Sequence, residues 1–159
     1  MQMPQRLNTI ARVAAWRTSV TVALLSALLV SGCGRQGDEA HVPTECKEGP
    51  AAYLAALRAA PSEVRILGRT PISACLSKRA TDAADVQAVG ATLIVVARRL
   101  AASRDSLRLG YLMGAIEKGT KRTRGIFQET LRRVDTEIIA VDRTAPRFQH
   151  GLSAGRATG

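Results

Sequence analysis

The chain has 159 residues, with 3% aromatic residues and a formal net charge of +10. This length is enough for one domain, and the scarcity of aromatic residues excludes a core built on them. The core must be aliphatic, the abundant Ala, Leu and Arg favour helix, and the basic charge favours either anionic partners or simply an Arg-rich soluble surface.

The chain begins with the three regions of a secretory signal peptide. Arg6, Arg12 and Arg17 are its charged residues, an apolar run follows over residues 18–30, and small residues precede Cys33. A transmembrane anchor is the alternative. A bilayer span needs about 20 apolar residues, whereas the charge-free stretch 18–34 has 17 residues and ends in small and polar ones.

The end of this segment, Leu29-Val30-Ser31-Gly32-Cys33, resembles the lipobox of bacterial lipoprotein precursors, which more often have Leu in place of Val30. The resemblance covers the leader alone. It implies a signal peptide over residues 1–32, a diacylglyceryl group on the sulfur of Cys33, cleavage before Cys33 and acylation of its new amino group. It therefore implies an extracytoplasmic protein with lipid anchorage to the cell membrane, or to the outer membrane if the organism has one. The alternative is an ordinary cleaved signal peptide with an incidental cysteine.

The next segments lead into a helical domain, which we expect over residues 50–142. Residues 33–49 are polar, contain Gly and Pro and lack periodicity, so we predict a lipidated flexible tether. Pro50 is a good first-turn residue for a short helix that ends before Pro61. The apolar face of this helix consists of Tyr53, Leu54 and Leu57.

Two helices dominate the rest of the predicted domain. Residues 64–67 indicate a short strand or an extended segment, and residues 72–76 a single helical turn. The second helix has Thr81 or Asp82 as its cap and Asp85 in its first turn. Its apolar positions recur at a spacing of three and four: Val86, Val89, Gly90, Leu93, Val96, Ala97 and Leu100.

The third helix is the longest predicted element, from Asp105 or Ser106 to residue 142. Its apolar face keeps one phase from Leu112 to Val141, with Glu137 as the polar exception. Four glycines within it argue for two helices with a break near Gly119-Thr120, because each costs about 1 kcal/mol relative to Ala. The preserved phase favours one continuous helix. Residues 143–159 are polar and small and predict a disordered tail.

Together these elements predict an all-α fold: a small bundle of three or four helices, with a long C-terminal helix packed antiparallel on the preceding one. The second helix would be about 31 Å long and the third about 55 Å. The second helix would then cover only half of the third. The uncovered stripe, marked by Ile126, Phe127, Val134 and Ile138, is either packed against the early part of the domain or an interface for a protein partner or a second copy.

The remaining cysteines form an even pair once Cys33 is assigned to the lipid. Cys46 and Cys75 are therefore predicted to form a disulfide, because an extracytoplasmic compartment is oxidising. The alternative is two isolated thiols. We expect no metal site, since His41, Cys46, Cys75 and His150 do not lie at short ligand spacing.

No sequence pattern indicates catalysis or a cofactor. The chain lacks a Gly-x-Ser-x-Gly motif and a Gly-rich phosphate loop. We therefore expect a non-enzymatic binding module that uses the apolar stripe. The first alternative is a structural envelope protein that contacts anionic lipid or wall polymer through Lys118, Lys121, Arg122 and Arg124. An enzyme with an unrecognised site is the second alternative, and nucleic acid is not an expected partner.

Overall fold

The structure, a computed structural model, describes residues 41–77 and 82–159. The predicted lipobox from Leu29 to Cys33 and the predicted cap Thr81 lie outside the described residues. The described part confirms the all-α class. Its helices are α1 (Gly49–Ala56), α2 (Ala83–Ala102), α3 (Ser106–Thr120), α4 (Ile126–Glu137) and α5 (Pro146–Thr158).

Short elements connect α1 to α2. Two-residue strands β1 (Arg65–Ile66) and β2 (Thr70–Pro71) pair antiparallel, and 3₁₀ turns occupy Thr44–Lys47, Leu57–Ala59 and Ile72–Leu76. The predicted strand near residues 64–67 and the predicted turn at 72–76 are therefore both present. Pro50 stands at the start of α1, and Tyr53 and Leu57 are buried as expected.

Helix α2 agrees with the sequence prediction at every buried position. The carboxylate of Asp82 caps it by accepting hydrogen bonds from the N–H groups of Ala84 and Asp85, at 2.8 and 3.2 Å. All seven apolar or small residues predicted to face the core are buried. Helix α2 thus packs its predicted apolar face into the core.

The predicted continuous helix over 106–142 is wrong, and the alternative of two helices is correct. Helix α3 ends because the carbonyl of Thr120 accepts hydrogen bonds from the N–H and hydroxyl of Thr123, at 2.9 and 2.8 Å, and from the side-chain amide of Gln128 at 3.0 Å. Gly125 has a φ of +66°, a conformation that glycine adopts without steric cost. The chain therefore reverses between Lys121 and Gly125.

The reversal returns α4 to α2. Gly90 packs on Thr130, and Arg98 pairs with Glu137 farther along, so the two helices run parallel. Helix α3 is antiparallel to both because its connections to them are short. The Arg98–Glu137 pair also explains the one polar residue on the predicted apolar stripe.

The predicted disordered tail over residues 143–159 is also wrong, because the chain forms α5 there. Phe148 and Leu152 are buried, and the helix lies parallel to α3 at backbone contact. A Cβ atom on Gly110 or Gly114 would overlap the carbonyl oxygens of Phe148 or Leu152, and one on Gly155 would overlap that of Tyr111. Glycines on both helices thus permit an approach that other residues would block.

The folded part begins earlier than the predicted boundary at residue 50. Val42 is 2% exposed and Cys46 is fully buried. Because core residues already occur at position 42, the tether predicted over 33–49 is shorter than its composition suggests. This shortening matters for where a lipid on Cys33 would hold the domain.

Candidate functional site

The apolar stripe predicted as an interface lies in the core. Val134 and Ile138 are fully buried and Phe127 is 9% exposed. Ile126 is partly buried beside the groove between α2 and α4. The prediction of an interface at these four residues is therefore corrected: after the chain reversal, α2 covers the stripe that a straight third helix would have left open.

The groove between α2 and α4 measures about 440 Å³, and its lining residues Thr130, Glu129 and Arg133 are already engaged in hydrogen bonds. The hydroxyl of Thr130 donates to the carbonyl of Ile126 at 3.0 Å. The carboxylate of Glu129 accepts from Arg132 and Arg133, at 2.8 and 2.7 Å, and these two hydrogen bonds lower the pKa of Glu129 to about 2. The groove therefore offers no unpaired titratable group for chemistry.

The predicted basic residues are all exposed: Lys118 lies in the last turn of α3, and Lys121, Arg122 and Arg124 lie in the connection from α3 to α4. We call these four residues the basic turn. The ammonium group of Lys118 donates to the carbonyl of Ala157 near the end of α5, at 2.9 Å. Within the described ranges, none of the four cations forms an ion pair with a carboxylate. The segment 118–124 also contains no acidic residue.

Cations elsewhere on the domain are commonly neutralised. Arg98 pairs with Glu137 at 2.8 Å, and Arg69 pairs with Glu45 at 3.0 Å. The hydrogen bond from Arg98 lowers the pKa of Glu137. Four other arginines also lack an ion pair within the described ranges: Arg58, Arg99, Arg104 and Arg147. They are spread over the chain, whereas the four cations of the basic turn lie within seven residues. The basic turn is thus the densest group of uncompensated charge described.

The start of the folded chain lies at the same end of the bundle as the basic turn. Cys46 is bonded to Cys75, with Cα atoms 5.7 Å apart. The segment around Cys75 crosses the end of α3, where Ser73 and Leu76 pack on Gly119. Lys47 forms an ion pair with Asp85 in the first turn of α2, which begins at this end. The first described residues of the chain therefore lie near the basic turn.

The disulfide confirms the predicted pairing of Cys46 and Cys75 and is buried. Beside it, the hydroxyl of Tyr53 donates to the carbonyl of Cys46 at 2.9 Å and lies 3.5 Å from the sulfur of Cys75. Burial raises the pKa of Tyr53 well above its usual range, so this phenol stays a neutral donor. The disulfide and Tyr53 together fix the first residues of the domain onto the bundle.

The described part holds little else that suggests chemistry. No group of three or more His, Cys, Asp or Glu side chains in residues 41–77 and 82–159 is arranged to hold a metal ion. His41 and His150 are exposed and far apart in sequence. No described helix combines the length and apolar character that crossing a bilayer requires.

Two features of the surface were not predicted. Ile139 is 83% exposed, while its neighbour Ile138 is buried. Sequence periodicity placed Ile138 on the stripe but gave no means of knowing that helix α4 would end at Glu137 and turn Ile139 outward. The contact of Lys118 with α5 was also missed, because the tail was expected to be disordered.

Compared with known proteins, the chain matches no protein family, no curated protein and no solved structure.

Proposed function

We propose that this protein is a non-enzymatic envelope protein, anchored outside the cytoplasm by lipid on Cys33, which holds its basic turn against an anionic surface. The observation that carries the proposal is the placement of four uncompensated cations at the end of the bundle where the chain from Cys33 enters. The apolar stripe no longer supports a docking function, because its residues are buried.

The disulfide supports a location outside the cytoplasm. Disulfides persist in oxidising compartments and are rare in reducing ones. Both cysteines of the domain are consumed in the bond, and Cys33, in the lipobox-like leader, is the third cysteine of the chain. This distribution agrees with a thiol reserved for lipid and a pair reserved for the fold.

Replacement of the lipid-accepting thiol tests the anchor. In a bacterial host that processes lipoproteins, we expect the wild type in the membrane fraction as a mature form that begins at Cys33. Cys33→Ser should accumulate as an uncleaved precursor. Ser31→Ala keeps a small residue in the leader and should be processed like the wild type. Cleavage of Cys33→Ser at residue 33 with full retention on the membrane would refute the anchor.

A further inference from the structure

We propose that the basic turn rests on the anionic phospholipid headgroups of the same membrane that carries the lipid on Cys33. This inference depends on the proposed anchor and adds to it a partner and an orientation. The anchored domain would stand with the ends of α3 and α5 toward the bilayer. The connection between α2 and α3, at Ser103–Asp105, would point away from it.

Charge is the first support for a headgroup partner. The four cations of the basic turn lie within seven residues, and three of them, Lys121, Arg122 and Arg124, occupy the reversal itself. No described carboxylate pairs with them, so their charge is available to a partner. Each Lys or Arg near an anionic leaflet strengthens binding about fivefold. Four such residues suffice for a measurable contribution once the chain is anchored.

Shape is the second support. Arg122 and Arg124 border a broad, shallow depression of about 690 Å³ whose floor includes Thr123 and Phe127. Thr123 and Phe127 are buried, so no apolar side chain on this turn projects for insertion into a bilayer. An open cationic surface of this kind is suited to a flat array of headgroup phosphates, whereas a small ligand is usually bound in an enclosed pocket.

The tether supplies the third support. Val42, the first described residue that is buried, lies nine positions after Cys33, and a chain of that length spans at most about 30 Å. Cys46 is bonded to Cys75, and the segment around Cys75 packs on Gly119 at the end of α3. The tether would therefore enter the domain at the end that bears the basic turn. Lipid anchoring therefore raises the local concentration of headgroups around these cations, as a linker does for a second binding site. A wall polymer gains no such advantage from the anchor.

Covalent labelling of arginines tests the orientation in the full-length mature protein. The lipidated protein is reconstituted on vesicles of phosphatidylcholine alone or with phosphatidylglycerol, and flotation verifies its attachment to both. A dicarbonyl reagent then modifies exposed arginines, and peptide mass spectrometry gives the rate at each. We expect Arg122 and Arg124 to react at least threefold more slowly on anionic than on neutral vesicles. Arg104 and Arg147, at the opposite end of the bundle, should react equally on both.

Two variants with the same loss of charge separate a local contact from a general effect of charge. Lys118→Gln/Lys121→Gln should abolish the protection of Arg122 and Arg124, since two lost cations weaken docking about 25-fold. Arg99→Gln/Arg104→Gln removes two cations at the far end and should keep it. Salt near 1 M shortens the screening length to about 3 Å and should also abolish the protection in the wild type.

The outcomes distinguish the inference from the anchor on which it rests. Equal labelling of Arg122 and Arg124 on floated neutral and anionic vesicles would overturn the inference and leave the anchor intact. Protection in isolated cell envelopes without protection on anionic vesicles would also overturn it and would indicate a wall polymer. Failure of the mature protein to float with either vesicle would overturn the anchor and the inference together.

Discussion

The hydroxyl of Tyr111 joins three parts of the domain through one buried atom. It accepts a hydrogen bond from the N–H of Val64 at 3.0 Å and lies 2.8 Å from the hydroxyl of Thr158, which in turn donates to the carbonyl of Ala154. The segment before β1, helix α3 and helix α5 are therefore coupled at this residue. A single oxygen atom on α3 thus holds both the segment before β1 and the last helix.

Removal of that oxygen should destabilise the domain more than removal of its partner. Tyr111→Phe leaves the buried N–H of Val64 unpaired, and we expect a loss of about 1–3 kcal/mol in the free energy of unfolding. Thr158→Val is the control, because Thr158 is exposed and water can replace its hydroxyl. Urea denaturation measures both. Equal losses for the two variants would contradict the proposed coupling.

Glu129 predicts a pH dependence of stability. Arg132 and Arg133 hold its folded-state pKa near 2, below the ordinary value of 4.5. A lowered pKa contributes stability that is fully present above the unfolded-state pKa and is lost as the pH falls through the folded-state value. We therefore expect this contribution to disappear between about pH 4.5 and pH 2.

Neutralisation of Glu129 should flatten that part of the pH profile. The free energy of unfolding of Glu129→Gln should fall less steeply than that of the wild type between pH 4.5 and pH 2. Glu48→Gln removes an exposed carboxylate that forms no ion pair with a described residue, and it should follow the wild type. If the free energy of unfolding falls equally steeply with pH in Glu129→Gln and the wild type, the ion pairs of Glu129 with Arg132 and Arg133 do not contribute to stability.

At the scale of elements, α3 and α5 depend on glycine for their close packing. Gly110 and Gly114 on α3 and Gly151 and Gly155 on α5 repeat every fourth residue, and each faces backbone atoms of the other helix. Small residues at this spacing let helix backbones approach closely. Here the arrangement holds two helices of one bundle together.

Alanine at these positions should separate the two helices. Gly110→Ala and Gly155→Ala each force a Cβ atom into a carbonyl group, and overpacking of this kind costs about 1–3 kcal/mol. The better helix propensity of Ala offsets about 1 kcal/mol of that cost. Gly90→Ala meets only the side chain of Thr130 and should be tolerated better. A thermal melt in which Gly90→Ala is the least stable of the three would contradict this packing.

The sequence was sufficient to predict elements whose packing follows their own periodicity. Helix α2 is one: all seven of its buried positions were predicted, and its cap, Asp82, was one of the two residues proposed. The break between α3 and α4 was predicted only as the alternative, because the apolar phase continues across it, while the reversal depends on hydrogen bonds to the carbonyl of Thr120 and on Gly125. Neither feature changes the hydrophobic pattern.

Helix α5 was missed for a different reason. Its glycines lower intrinsic helix propensity, so the segment has the composition of a disordered tail. The one sequence feature that indicates contact between α3 and α5 is the four-residue spacing of glycines, which both helices share. This feature is recognised only when the two segments are compared with each other. The candidate site was likewise predicted only in part. The basic residues were recognisable from sequence, whereas their position beside the chain entry depends on tertiary contacts.

At the scale of the whole molecule, the disulfide closes the segment that contains α1 and the two short strands. It joins residues 29 apart in sequence, and a loop of this length corresponds to about 3–4 kcal/mol in the chain-entropy model. It also fixes the chain entry at the end that bears the basic turn. The bond therefore serves both stability and the placement of the proposed anchor.

Loss of the disulfide should lower stability without changing anchorage. We expect the free energy of unfolding of Cys46→Ser/Cys75→Ser to fall by about 3–4 kcal/mol in urea, while the protein remains in the membrane fraction through Cys33. The mass of the wild-type domain should rise by two hydrogens on reduction, and that of the variant should not change. Unchanged stability of the variant would show that helix packing alone holds the chain entry.

The proposed lipid on Cys33 is the premise of the membrane contact, because that anchor would bring the basic turn to its neighbouring surface. Mass spectrometry of the N-terminal peptide of the mature protein, extracted from membranes, tests it directly. We expect a peptide that begins at Cys33 and is heavier than the unmodified peptide by a diacylglyceryl group and an acyl chain. A mature peptide that carries no lipid, or a chain that retains its first 32 residues, would contradict it.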